Sequence, residues 1–203
     1  MDSCLFFIHR DFYLLYNKRK AVKNMDVSIK DLTYEDALTF ENWGKHKENY
    51  LADYNFLAKG EHEILSWYNW KTDQKNSKYL CILKDKEPVG FISIREMAGK
   101  SAELGIVINP DMVGIGIGRI ALSLAMEYGK KNHGITRYRL KVAAFNTRAI
   151  RMYSAVGFKI YQRTFETYKG EPLSDEEEEL YRDCFFDFFF HKFCYIYKMR
   201  LEI

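Results

Sequence analysis

The sequence predicts an α/β fold of the α+β kind, a mixed but mostly antiparallel twisted sheet flanked by helices. Three observations carry that prediction. Tyr79 to Leu83, Val89 to Arg95 and Ala102 to Ile108 are short runs of β-formers. They are joined by Asp85-Lys86-Glu87-Pro88 and by Ala98-Gly99-Lys100, compositions that suit antiparallel hairpins. The third run stops at Asn109-Pro110, and Gly114, Gly116 and Gly118 then open a segment in which Ile117, Ile120, Ala121, Leu124 and Tyr128 form one apolar helical stripe. Arg137 to Val142 alternates charged and apolar residues as a strand does, and leads to Asn146, placed to begin a helix that Gly157 would stop.

The remaining elements follow in order. Residues 1–24 precede what looks like the domain's own start at Met25, either because Met25 is the natural initiator or because they form an appended helix in which Phe6, Phe7, Phe12 and Leu15 pack on the domain or on a partner chain. Val27-Ser28-Ile29 is a first strand. Thr33-x-x-Asp36 is a capping box with Asp in place of Glu, opening a helix with Ala37, Leu38, Phe40 and Trp43 on its apolar side. Gly44 to Gly60 has weak periodicity, and a second helix is expected from Glu61 to Trp70. Lys159 to Phe165 and Phe193 to Leu201 are the last two strands. Between them lies an insertion at about 166–192, in which Ser174-x-x-Glu177 caps a short acidic helix to about Arg182. The run Asp175 to Glu179 is a solvated face on the plainer reading, or an attraction for a cationic acceptor. The expected organisation is therefore an N-terminal extension, residues 1–24, and a single domain, residues 25–203.

Composition narrows the class of function. With 203 residues, 47% of them hydrophobic and 29% charged, the chain can bury one sizeable core. A net charge of +3, dispersed among acidic residues, argues against a nucleic-acid partner. Cys4, Cys81, Cys184 and Cys194 lack the close paired spacing of a metal site, so no metal is expected, and they suit thiols in a reducing compartment, the cytoplasm. No stretch approaches the roughly 20 apolar residues of a membrane span, and Leu5 to Ile8 makes a poor signal peptide.

The glycine-rich turn points to chemistry. The first turn of a helix has N–H groups without internal partners at the positive end of its dipole, and glycines let a phosphate come close. The expected ligand part is a phosphate or pyrophosphate; the alternative is a tight turn that merely packs helix on sheet. The spacing is neither the G-x-G-x-x-G of dinucleotide folds nor a P-loop.

From Glu103 to Phe158 the sequence resembles the GNAT superfamily of acyl-CoA-dependent N-acetyltransferases. Its first motif, Arg/Gln-x-x-Gly-x-Gly/Ala, is matched by Val113-Gly114-Ile115-Gly116-Ile117-Gly118, and its second by Asn146, Ala149, Tyr153, Gly157 and Phe158. Val113 stands where the family usually has Arg or Gln. Backbone N–H groups provide most of the family's pyrophosphate grip, so the departure is expected to weaken binding rather than abolish it. The resemblance implies acetyl-CoA as cosubstrate and an amine of a small molecule or peptide as acceptor, with a homodimer as a candidate assembly.

The resemblance also distributes roles. The backbone of Ile106, Val107 and Ile108 would meet the pantetheine and the thioester carbonyl, Asn146 would hydrogen-bond the pantetheine or simply cap its helix, and Arg119 would reach nucleotide phosphates. Tyr153 would supply a proton to the departing thiolate. A lysine-like amine titrates at about 10.4, so attack needs a proton acceptor. Glu103, on the strand entering the turn, is the candidate, directly or through water; otherwise it is an ordinary strand-surface carboxylate. Trp43, Tyr50, Tyr54, Trp67 and Trp70 either line the acceptor pocket or pack the core. Two functions stay open: an acetyltransferase, and an acyl-CoA-binding sensor without turnover.

Overall fold

The structure is a computed structural model that describes residues 25–203, so the expectation for residues 1–24 lies outside the described residues. Strands β1 (Val27–Asp31), β2 (Ser77–Lys84), β3 (Glu87–Met97), β4 (Ser101–Ile108), β5 (Arg137–Ala143), β6 (Lys159–Thr167), β7 (Phe185–Phe188) and β8 (His191–Glu202) form one sheet in the order β1-β2-β3-β4-β5-β8-β6, with β7 also on β8. Every pairing is antiparallel except β4 with β5. Helices α1 (Tyr34–Thr39), α2 (Gly60–Thr72), α3 (Ile117–His133), α4 (Thr147–Val156) and α5 (Asp175–Tyr181) complete the fold.

Local chemistry explains most boundaries. The Thr33–Asp36 capping box forms, and the buried Asp36 carboxylate also meets Lys30 at 2.8 Å. The helix it opens is shorter than the apolar pattern suggests: it tightens into a 3-10 turn at Phe40–Asn42, which still buries Phe40. Pairing of Lys84 with Glu87 leaves Asp85 and Lys86 as a two-residue hairpin turn, both left-handed at φ 50° and 72°.

The buried face of α3 is rotated from the stripe of large residues. Ile117, Gly118, Ala121, Leu122, Ala125, Met126 and Gly129 are buried, whereas Ile120, Leu124 and Tyr128 flank them. Small residues bring this helix down onto the sheet: the Tyr138 hydroxyl donates to the Met126 carbonyl at 2.6 Å, and a Cβ on Gly129 would meet that hydroxyl at 2.7 Å. A stripe read from side-chain size alone misses this, because close packing selects for the absence of bulk.

The core has three parts. The main cluster lies between the sheet and α3 and α4, with Leu80, Ile92, Ile94, Leu104, Leu140 and Met199. On the other face, an aromatic cluster of Phe40, Trp43, Phe56, Trp67 and Phe91 packs α1 and α2 onto β2 and β3. A third, with Leu51, Phe145, Phe185 and Ile196, joins the 3-10 turn Asn49–Tyr54 to β5, β7 and β8.

Between β6 and β8 the chain makes α5, with the Ser174–Glu177 capping box, then a 3-10 turn Arg182–Cys184 and β7. β7 is absent from the sequence reading. Its hairpin turn is Phe189-Phe190, left-handed at φ 44° and 63° and largely exposed, where turn chemistry would predict Asn-Gly.

Candidate active site

β4 pairs with β3 along its whole length, but with β5 only over Ser101–Glu103. Past that point the two parallel strands part, and a cleft of 590 Å³ opens between them. The Asn109 N–H donates to the Val89 carbonyl at 2.9 Å. Antiparallel alternation therefore turns the N–H of Val107 toward β3, and those of Ile106 and Ile108 toward the gap. Side chains alternate the other way: Ile106 and Ile108 pack toward α3, and Val107 belongs to the aromatic cluster.

At the mouth of the gap, Asn109 accepts from the Asp111 N–H at 3.0 Å and from the Gly44 N–H at 3.3 Å. Gly114 and Gly116 adopt φ of +83° and +104°, and a Cβ on Gly114 would have nothing within 4 Å. Gly116 is the N-cap of α3 and provides no side-chain cap, so the first N–H groups of that helix face outward unpaired by side chains. Gly118 has a different reason: a Cβ there would come within 2.6 Å of the Met152 sulfur. It serves the packing of α3 on α4.

Val113, Gly114, Gly116, Ile117, Gly118 and Arg119 line the cleft, whereas Ile115 is 43% exposed and is not among the lining residues. Val113 contributes no cation, and the basic groups on this side are Arg119 and Arg148.

Asn146 caps α4 by accepting from the Ala149 N–H at 3.1 Å, and its side chain also lies against the Tyr54 hydroxyl. Tyr153, two turns along α4, is buried against Phe158 with ring centroids 6.1 Å apart. Burial, and then nearby Tyr54, push the Tyr153 phenol above its ordinary pKa, so it is protonated at neutral pH. Asn146, Tyr153 and Tyr54 all line the cleft.

Glu103 lies on the same face of β4 as Gly105, two residues before it. Its carboxylate is paired with the Arg95 guanidinium, and it is not among the residues lining the cleft. His46 does line it; burial, and then the Arg148 charge, lower its pKa, so its imidazole is neutral and able to accept a proton. Of the five aromatics considered, Tyr54 lines the cleft, Trp43 and Trp67 pack in the aromatic cluster, Tyr50 packs in the third cluster, and Trp70 is 61% exposed. His133, the last residue of α3, pairs with Glu96 at 2.6 Å.

Sequence reasoning missed His46, Lys71, Tyr79, Phe91 and Ser93 as cleft residues. Tyr79, Ser93 and Gly105 are register partners across β2, β3 and β4, and Gly105 is bare because a Cβ would lie 2.7 Å from the Ser93 hydroxyl. An isolated glycine within a strand was the available signal of such close approach.

The model of the Acetyltransferase (GNAT) family matches residues 37–158. Among curated proteins, the uncharacterized protein MJ1062 of Methanocaldococcus jannaschii is 25% identical over 153 residues, spanning 71% of this chain but only 30% of that protein. The acetyltransferase PseH of Campylobacter jejuni is 22% identical over 162 residues, spanning 78% of this chain and 92% of that one. The spermidine N-acetyltransferase of Vibrio cholerae, solved with CoA and spermine, superposes with a TM-score of 0.64 at 17% identity, covering 87% of this chain and 95% of that chain. That likeness is one of fold.

Proposed function

We propose, from the premise that this chain belongs to the acetyltransferase (GNAT) family, that its cleft transfers the acetyl group of acetyl-CoA to a primary amine of a small molecule or peptide. The observation that carries the reading is the parting of β4 from β5. It leaves two strand N–H groups facing a gap that runs from an uncapped helix terminus to a buried tyrosine. Pyrophosphate suits the Gly114–Gly118 turn, pantetheine suits the free edge of β4 together with Asn146, and Arg119 lies where phosphates would be.

The amine approaches from the face that carries Tyr79, Ser93 and Gly105. Its nitrogen attacks the thioester carbon, and the negative charge developing on the carbonyl oxygen is met by the N–H groups of Ile106 and Ile108. The C–S bond then breaks and the amine loses a proton, which we assign to Glu103 acting through a water; the proton finally resides on the CoA thiol. Tyr153 hydrogen-bonds the leaving sulfur. Its pKa is raised and a thiol titrates near 8.5, so complete transfer from the phenol would be uphill. The tyrosine thus works chiefly by stabilising the thiolate until the amine's proton reaches it.

Calorimetry with acetyl-CoA, with desulfo-CoA and ATP as controls, is the first test. One saturable site with weak or absent ATP binding supports the reading, and no binding of acetyl-CoA defeats it. The sensor reading draws on Val113 and on the Arg95–Glu103 pair. Acetyl-CoA binding without thiol release across an amine panel would favour it. We place the enzyme in the cytoplasm, consistent with Cys81, Cys184 and Cys194 as free thiols. We take the acting species to be a homodimer, which the exposed Ile160, Tyr161 and Phe165 of edge strand β6 support and sedimentation would check.

A further inference from the structure

The charged side chains of the cleft, with its histidine, are all basic. His46, Lys71, Arg119, Lys141 and Arg148 line it, and among the described residues no carboxylate does. Arg119 and Arg148 stand in the first turns of α3 and α4, beside the glycine-rich turn and Asn146. Lys141 is answered by Glu166 at 2.9 Å. Lys71 is in neither position: it lies on α2, away from both of those helix starts, and among the described residues it has no carboxylate partner.

Its setting is built. Lys71 is in the last turn of α2, and its ammonium lies 4.1 Å from the centre of the Trp70 ring, 5.7 Å from Tyr79 and 6.0 Å from Trp67. These faces hold the cation in place but leave its N–H groups without an anionic acceptor. Half-burial lowers its pKa, the response of an ammonium taken partly out of water with no counter-charge. Tyr79 is the register partner of Ser93, and Ser93 of Gly105, three residues before Ile108 at the end of β4. At the rise of a strand that is about 10 Å from the end of β4 that leads to the glycine-rich turn. Lys71 is on the acceptor's side.

We propose that Lys71 binds an anionic group of the acceptor, so that the substrate is an amine that also carries a carboxylate or a phosphate rather than a polycation. The inference rests on the acetyl-transfer reading, since it takes the acceptor to enter over Gly105. A polyamine would bring further positive charge to a wall whose charged groups, among the described residues, are all basic; an anionic amine supplies the counter-ion that Lys71 lacks among them.

Calorimetry on the full chain saturated with desulfo-CoA tests this, using 3-aminopropyl phosphate, 4-aminobutanoate, butylamine and spermidine as probes. At least one of the two anionic probes should bind saturably and more tightly than butylamine or spermidine, and the tighter of the two identifies phosphate or carboxylate. In Lys71→Met its affinity should fall roughly tenfold to a hundredfold, the worth of a hydrogen bond to a charged group. Lys71→Arg should recover part of the loss. Acetyl-CoA should bind both variants as it binds the parent protein, which separates a lost contact from a misfolded chain. Tighter binding of spermidine or butylamine, no binding of either anion, or anion binding unchanged in Lys71→Met would overturn the proposal while leaving acetyl transfer standing. Failure of acetyl-CoA to bind the parent protein would remove the transfer reading instead.

Discussion

At the end of β4 the cleft offers a ligand mostly main chain: strand N–H groups on a free edge, glycines with left-handed φ, and a helix terminus without a cap. About 10 Å deeper, toward Gly105, its walls are side chains: Lys71, Tyr79, Phe91 and Ser93, contributed by a helix and two strands. The difference teaches why a main-chain surface is expected to tolerate a change such as Val113, while a surface of side chains keeps no common signature. Main-chain donors need only the right φ and empty space, which glycine spacing records. An acceptor surface is assembled from residues far apart in sequence, each chosen for one ligand.

This contrast makes predictions of decreasing size. The greatest effect is expected at Tyr153, which in the proposed reaction serves the chemistry rather than either binding half. Tyr153→Phe should lower kcat about a hundredfold, the lower end of what proton-transfer groups contribute, with acetyl-CoA affinity nearly unchanged by calorimetry. A large loss of cosubstrate affinity would mean that the phenol belongs to the binding half. Gly118→Val should strike packing through Met152 and Ile108, costing about 1–3 kcal/mol. That corresponds to a Tm lowered by several degrees, read by calorimetric scanning. An unaltered Tm with poorer acetyl-CoA binding would assign Gly118 to the ligand instead.

A smaller effect is expected from Glu177, which caps α5 and also accepts from the Asn49 N–H at 2.8 Å. Glu177→Ala should cost about 1 kcal/mol in stability and raise the acceptor KM, leaving the acetyl-CoA Kd alone; Ser174→Ala should cost no more than the cap. If both constants moved together, the two halves would not be separable.

The smallest effect is one of pH. His46 has a folded pKa below its unfolded value near 6.5, so the unfolded chain takes up more protons as pH falls. Its contribution to stability is intact above about pH 6.5, is lost as pH falls toward the folded value, and is constant below it. His46→Asn should flatten that part of the Tm profile. In activity, Glu103→Gln should abolish the acidic limb of the kcat/KM profile if Glu103 takes the proton; survival of that limb in Glu103→Gln and its loss in His46→Asn would transfer the role to His46.

The legible parts of the molecule are those whose physics is local. The capping boxes at Thr33 and Ser174, the β2–β3 hairpin and the strand–turn–helix at Gly114–Gly118 each depend on neighbours within a few residues, and each formed. β7 was not legible, because four residues carry almost no period and its Phe189-Phe190 turn lacks the expected residue types. The parting of β4 from β5 was invisible for another reason: it is a relation between two strands, and neither strand's own residues encode where pairing stops. Lys71 was hidden likewise, since nothing near it in sequence says that Tyr79 will lie beneath it.

The Asn109 side chain carries one further consequence. A single amide oxygen accepts from Asp111, just ahead of the glycine-rich turn, and from Gly44, in the loop that leads to His46. Any shift of the turn on taking up a ligand would therefore reach the loop through that atom, and through the Asp111 carboxylate that lies against Gly44. Linkage makes such an effect mutual: whatever factor the first ligand to arrive applies to the second, the second must apply to the first. Order of addition in steady-state kinetics, compared between the parent protein and Asn109→Ala, would put a number on that conversation.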